Sequence, residues 1–472
     1  MTDAVSDTTP EAIPAPTYRE VLRHRPVQIL AISRFASKMA GSTLSYGVMV
    51  FLATVGATQF QVSLASSAGY LAALLFGLQG GMLADSAPKR QVLYLSLIIQ
   101  AGACFVIPSL FGTDIGTLLL VIFLTSAFSQ IVSPGLKSVV AIVATPAEVA
   151  TTGALVNVLG SIGSAIGSSL LAPILIKTSG IDAVLYVTGF LFVVAGLRIR
   201  KLPKAEAAGG LTLRENIRSM DWKPKALSLR YNAGWISAHP AVSSMILAGI
   251  FCTALFEGFN SLLPIYVREV LDEDPANSVY IFAPAAIGYL IGAVGGPKLI
   301  HWLGERKLVI VSIVLMTAGS ILLGAIDAVD TFFAIFSPLR LLEPIFDVEL
   351  SDAVLAAGVI AIPTNLGSTA AGQAVQVYIN KHVPIMRQGG MFGLQSVQQN
   401  AFNLASVFVL GLLATVVGPQ YIFVLAPIVV GAIVLALVRY SLKLLTGQRA
   451  KVRAAVDFLT EEPEHDETDT TT

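Results

Sequence analysis

Twelve runs of mostly apolar residues dominate the sequence, and each is about as long as the ~20 residues a helix needs to cross the hydrocarbon core of a bilayer. They cover approximately residues 27–54, 62–84, 91–111, 115–143, 150–176, 182–200, 241–267, 277–302, 307–326, 353–380, 389–416 and 419–443. The bilayer core offers no water to backbone N–H and C=O groups, so only helices or closed barrels span it. A barrel strand alternates apolar and polar residues over ~10 positions, and these runs are long and mostly apolar without that alternation. The fold class is therefore an all-α membrane protein with twelve transmembrane helices. Composition supports this, since 54% of residues are hydrophobic and 13% charged, about half the ~25% charge of a soluble domain. Such a balance excludes a disordered chain, a nucleic-acid-binding protein and almost any soluble enzyme of this size.

The basic residues orient the chain. With the amino terminus inside, seven cytoplasmic segments hold 25 of the 30 Lys and Arg residues. The outer connections hold Lys177, Arg268 and Arg340, while Arg34 and Lys38 fall inside the first span. This bias is the positive-inside rule for an even number of spans with both termini cytoplasmic. The polar stretch Met1 to Pro16 carries no basic-then-apolar cleavable leader.

The longest inner connection divides the spans into two six-helix bundles. The expected organisation is a cytoplasmic tail at 1–26, an N-terminal bundle at 27–200, a cytoplasmic linker at 201–240 and a C-terminal bundle at 241–443. A long outer loop, 327–352, interrupts the second bundle, and a cytoplasmic tail follows at 444–472. Basic and apolar residues alternate in the linker, around Leu213, Ile217, Met220 and Trp222. That pattern suits either short amphipathic helices at the membrane surface or a plain solvated connection. Aromatic clusters in the acid-rich loop 327–352 suit a segment at the outer interface or capping a cavity mouth.

The halves echo each other. After the second span, Gly81 leads through Asp85 to Lys89-Arg90; after the eighth, Gly296 leads to Arg306-Lys307. Internal symmetry of this kind is what a two-bundle transporter predicts. The stretch Gly81 to Arg90 resembles the inner-loop signature of the major facilitator superfamily, a glycine followed by an acid and then a basic pair. Pro88 stands where that signature usually has its second glycine, Ser86 where it usually has a basic residue, and in the second copy His301 replaces the acid. Further matches are Ser133-Pro134-Gly135-Leu136-Lys137 leading to Pro146-Ala147-Glu148, then Gly160 to Gly167, and Leu263 to Val267. Together they resemble the branch of enterobactin exporters and macrolide-efflux pumps over about residues 20–445.

The resemblance implies a cytoplasmic gate of Gly81, Asp85, Lys89 and Arg90, in which the acid meets the N-terminal end of a neighbouring helix. A carboxylate so placed gains ~0.3–1 kcal/mol; the plain alternative is a solvated positive-inside anchor. Arg34 and Lys38 are four apart and share one helix face. At 1.5 Å per residue, Lys38 lies roughly 17 Å along a helix starting near residue 27, close to the midplane. A charge there costs at least ~2.5–3.5 kcal/mol on insertion scales, so it requires a partner or a wet cavity. Arg34 is shallower and can snorkel.

Glu257 is the one acid deep within a span. In the superfamily the first and seventh helices occupy equivalent places facing the central cavity, which makes Glu257, Lys38 and Arg34 candidates for proton coupling or substrate counter-charge. Burial in apolar surroundings favours the protonated carboxyl; the alternative is a fixed ion pair, with Lys38 as partner. In the tenth span Asn365, Thr369, Gln373, Gln376 and Asn380 make one polar stripe, which with Asn260 suits an uncharged cavity wall for a neutral or amphipathic solute. Interhelical hydrogen bonding explains the stripe as well. Gly160, Gly163 and Gly167 fall on nearly one face of the fifth span, a pattern of close helix packing that also resembles the glycine-rich fifth helix of superfamily antiporters.

No nucleotide-cradling glycine loop and no catalytic constellation occurs. Five scattered histidines, Cys104 and Cys252 offer no metal-ligand spacing. The expectation is not an enzyme, and no cofactor, metal or nucleic acid enters it. It is a monomeric, multi-pass secondary active transporter of the cytoplasmic (inner) membrane, moving a small solute by alternating access. The finer reading is proton-coupled export of a drug-like or siderophore-like compound by antiport. Uptake or lysophospholipid transport would use the same fold, and a non-transporting membrane sensor or assembly partner would suit the long outer loop. Single cysteines at Thr58, Thr113 and Asp272 are predicted to react with an impermeant maleimide from outside. Cysteines at Pro88, Glu215 and Thr460 are predicted not to, and outside labelling at 215 would break the six-plus-six layout.

Overall fold

The computed structural model describes residues 18–86, 88–145, 148–202, 233–341 and 350–460. Among them there is no strand. The long helices are α1 (Arg25–Thr54), α2 (Gln59–Ser86), α3 (Lys89–Phe111), α4 (Ile115–Val143), α5 (Val149–Ile166) and α6 (Ala172–Ile199). They continue as α7 (Pro240–Glu269), α8 (Val279–Leu303), α9 (Glu305–Gly324), α10 (Asp352–His382), α11 (Ile385–Val417) and α12 (Pro419–Thr460). Ten stretches of the described residues are long and apolar enough to cross a membrane. One of these, Thr151–Ile199, contains α5, a single π-helical turn at Gly167–Leu171, and α6. It is broken at Gly180, whose φ of 74° suits glycine and few other residues. Helix α1 stays outside that set of ten although it has 30 residues, because Arg34, Lys38 and its serines lower its hydropathy.

Local chemistry sets the ends of these helices. Pro26 sits in the first turn of α1, where its missing N–H is one of the unpaired donors in any case. Asp114 caps α4, its carboxylate accepting from the Gly116 N–H at 3.1 Å and from the Thr117 hydroxyl at 2.5 Å. Those bonds, the Thr117 hydroxyl foremost, hold its carboxyl below the usual carboxylate range. Gly304 turns α8 into α9 at φ 75°. Large apolar side chains such as Leu110, Phe190, Val294 and Val416 are exposed, as a lipid-facing surface requires.

Two compact units result. The first takes in Met1–Pro224, Ser261–Ala286 and Val407–Pro419; the second takes in Lys225–Asn260, Ile287–Ser406 and Gln420–Thr472. Within the first unit α1 packs against α4, α5 and α6, and α2 against α4. Within the second unit α9 packs against α10.

Two segments differ from the sequence expectation. The outer connection is not all loop: Ile326–Ala334 is a helix packed on α10, followed by a 3-10 turn at Pro338–Leu341. Its buried Ile326 and Ala334 anchor it, while Phe332, Ile335 and Phe336 remain exposed, the face an outer interface would take up. Helix α12 runs on to Thr460, past the expected end near 443. The linker helices expected around Leu213 to Trp222, and Leu342, Ile345 and Phe346 of the outer loop, lie outside the described residues.

Backbones approach closely where α1 meets α5 and the π-helical turn after it. A Cβ at Gly163 would lie 2.5 Å from the Phe35 carbonyl oxygen, and one at Gly167 would collide with the Met39 carbonyl oxygen. Gly153, on the same helix, has open space. Gly163→Ala is therefore predicted to destabilise the protein in detergent by ~1–3 kcal/mol through overpacking. Gly153→Ala should be neutral or stabilising by up to ~1 kcal/mol. Thermal unfolding of the two variants checks the contrast.

Candidate functional site

Helix α1 carries two cations into the first unit. Arg34 is buried, 6% exposed, and its Nη1 donates to the Ser133 hydroxyl of α4 at 3.1 Å. Its Nε has no acceptor among the described residues and faces Gly160 of α5, where a Cβ would lie 3.0 Å away. Gly160 thus leaves the room that the Arg34 side chain fills. One turn further along α1, Lys38 is half-buried and lines a cavity of about 200 Å³.

That cavity is polar on nearly every side. Helix α1 contributes Ser37, Ser42 and Ser45 beside Lys38; α3 contributes Gln100; α4 contributes Thr125, Ser126 and Ser129; and Phe192 of α6 is its one ring. Several of these hydroxyls donate to their own helix, as Ser37 does to the Arg34 carbonyl at 3.1 Å and Thr125 to the Val121 carbonyl at 2.8 Å. Their lone pairs and remaining rotamers stay available to a guest. Lys38 makes no hydrogen bond or ion pair among the described residues, and the charges acting on it are those of Arg34 and Lys137.

The α4 side of this site was legible in the sequence and missed. Thr125, Ser129, Ser133 and Lys137 recur every four residues, one face of a helix. The same spacing is read as a polar stripe in the tenth span, yet within the apolar run 115–143 it passes as background.

In the second unit, Glu257 and Asn260 are half-buried on α7. Along α10, Asn365 donates from Nδ2 to the Ala361 carbonyl at 3.0 Å and Thr369 from Oγ1 to the Asn365 carbonyl at 2.9 Å. Thr369 and Gln373 stand against α8, where a Cβ on Gly292 would lie 2.8 Å from Thr369 Cβ and one on Gly296 3.2 Å from Gln373 Cγ. Gln376 and Asn380 are exposed. The stripe therefore divides into a packed part and an open part.

Residues 30–364 match the profile of the Major Facilitator Superfamily. The chain belongs to the Major Facilitator Superfamily. It is thus a multi-pass membrane transporter and not an enzyme. No curated protein sequence matches it significantly. Solved transporter structures agree in fold: a substituted form of the nucleoside transporter NupG has a TM-score of 0.63 at 14% identity, covering 89% of this chain and 99% of that one. The POT family transporter PepTSo follows at 0.60 and 14% identity, covering 89% and 99%. A bacterial homologue of the iron transporter ferroportin, in an inward-facing state, follows at 0.54 and 15% identity, covering 89% and 98%.

The superfamily's inner-loop residues are placed as follows. Gly81 and Asp85 lie in the last turns of α2, and the Asp85 side chain falls outside what is described. Lys89 donates from Nζ to the Ser138 hydroxyl of α4 at 2.8 Å, and Arg90 from Nη1 to the Leu202 carbonyl beyond α6 at 3.1 Å. The second-half copy repeats this logic: Arg306 donates from Nη2 to the Tyr378 hydroxyl of α10 at 2.8 Å, and Lys381 pairs with Glu305. Lys89 and Arg306 each tie the start of one helix to the end of the next.

The C-terminal end of α1 and the start of α2 are clasped by Arg268 and Glu269 of α7. Arg268 donates from Nη1 to the carbonyls of Ala53 at 2.8 Å and Ala57 at 3.2 Å, and Gln59 donates from Nε2 to Glu269 at 2.6 Å. A cation on the C-terminal carbonyls of α1 satisfies acceptors that the helix itself cannot. Charge-assisted bonds of this type contribute ~1.5–3 kcal/mol each. Arg268→Ala is predicted to raise the reaction rate of a cysteine at buried Ala57 with an impermeant maleimide about tenfold or more, the factor for ~1.4 kcal/mol. An unchanged rate in a folded variant would reduce Arg268 to a surface residue.

Proposed function

We propose that this superfamily member is a proton-coupled exporter of a small drug-like or siderophore-like solute, working as a monomer by alternating access in the cytoplasmic (inner) membrane. The observation that carries the reading is the polar cavity around Lys38: a lysine at span depth with hydroxyl neighbours is a costly feature that a purely structural bundle would avoid. The motif resemblance to exporters supports the direction of transport. The paired outer clasp at Arg268 and inner-loop residues Asp85, Lys89 and Arg90 supply the two gates that alternating access requires.

In this reading Glu257 exchanges the coupling proton and Lys38 with Arg34 faces the solute. Asn260 and the open part of the α10 stripe line the remainder of the path. Asp85 holds the inner gate, so Asp85→Asn should slow the labelling at Ala57 that Arg268→Ala accelerates.

A sensitivity and accumulation screen in cells lacking and overproducing the protein supplies the substrate for the decisive test. Purified protein in detergent is expected to release protons when that substrate is added. In proteoliposomes, Glu257→Gln should abolish substrate accumulation driven by a pH gradient while sparing substrate exchange. Full gradient-driven transport by Glu257→Gln would remove Glu257 from coupling. Accumulation of solute inside energised cells in place of expulsion would reverse the direction and favour uptake.

A further inference from the structure

We propose that the seam between α1 and α4 is an oxyanion site, in which Lys38, backed by Arg34 and Lys137, receives a carboxylate or phosphate group borne by the transported solute. This rests on the transporter reading above and names the charge of its solute.

Three cations converge on the seam. Arg34 and Lys38 come from α1 and Lys137 from α4, and each of the two lysines feels the charge of Arg34. Among the described residues none of the three has a carboxylate partner: the polar group holding Arg34 is the Ser133 hydroxyl, a neutral acceptor. Two cations elsewhere among the described residues do meet carboxylates. Arg268 meets Glu269 at 2.8 Å, and Lys381 meets Glu305. Lys137 is exposed, at the end of the seam, whereas Arg34 is buried and Lys38 half-buried; like charges kept so close without a counter-ion are destabilising unless an anion from outside the fold completes them.

The cavity beside the cluster has the right chemistry for that anion. Hydroxyls of Ser129 and its neighbours can donate to oxygen, and a cleft of one charge sign concentrates counter-ions. At about 200 Å³ the cavity is below the ~300–1,000 Å³ of a whole drug-sized site. It therefore holds one charged end of the solute. Phe192 is the one apolar ring in its lining, which provides no groove for acyl chains and favours a soluble solute over a lipid headgroup.

The test uses the full chain with Cys104 and Cys252 replaced by serine and Ser129→Cys introduced, held in phosphatidylcholine nanodiscs. Its reaction rates with a sulfonate-bearing and a trimethylammonium-bearing methanethiosulfonate are each divided by the rate with a free thiol. The sulfonate reagent is expected to be favoured by about tenfold or more, and Lys38→Gln with Lys137→Gln should erase most of that preference. Inorganic phosphate, with ionic strength matched by chloride, should slow modification by a neutral maleimide. Equal normalised rates, or a preference for the cationic reagent, would overturn the site. Protection by phosphatidylglycerol in the nanodisc without protection by phosphate would assign it to lipid and overturn the solute reading. Ser45→Cys, on the opposite wall, gives the same readout if Ser129→Cys does not fold. Sulfonate preference and phosphate protection without any solute movement in proteoliposomes would leave the anion site standing and remove the exporter reading instead. Solute transport without sulfonate preference would do the reverse.

Discussion

A membrane interior tolerates a charged side chain only where protein or water replaces the solvent it has lost. Helix α1 brings Arg34, buried, and Lys38, half-buried, into the packed interior of the first unit, which is arranged around them. Helix α4 offers Ser133 to Arg34 and a ladder of hydroxyls beyond it. Helix α5 presents glycines where the α1 backbone and the Arg34 side chain come closest. A larger residue at Gly160 or Gly163 would push α1 away from α5 and move both cations with it. The close packing and the polar cavity are thus one arrangement.

The two units use similar devices for different ends. In the first, α2 glycines approach α4, and a Cβ on Gly80 would lie 2.7 Å from the Gln130 backbone. In the second, α8 glycines approach α10 in the same manner, with Gly288 against the Ile362 carbonyl. The basic residues opening α3 and α9 each reach the C-terminal part of the following helix, at Ser138 and Tyr378. The buried charges break the parallel. Cations gather in the first unit, and the deep acid Glu257 belongs to the second.

Much of this was legible in the sequence because hydropathy is a strong signal over twenty residues. The long apolar helices and the glycine face of the fifth span follow from length and spacing. The α4 ladder was missed because serine and threonine cost little in an apolar helix, so their four-residue period has to be sought deliberately. The α10 stripe was visible, but spacing alone cannot divide Thr369 and Gln373, packed on α8 glycines, from exposed Gln376. Arg268 was counted as an outer cation; its bonds to Ala53 and Ala57 join residues more than two hundred positions apart, beyond any local pattern. The short helix Ile326–Ala334 was hidden among acids and aromatics that read as loop.

The account turns on Lys38 being kept for a guest and not for the fold. Thermal unfolding of Lys38→Met in detergent, without added ligand, tests this most directly. Removing an unpaired charge from the seam and restoring a stem of similar length should raise the melting temperature above that of the wild-type protein. A clear fall would contradict the account, because it would mean that Lys38 has a structural partner on which the bundle depends.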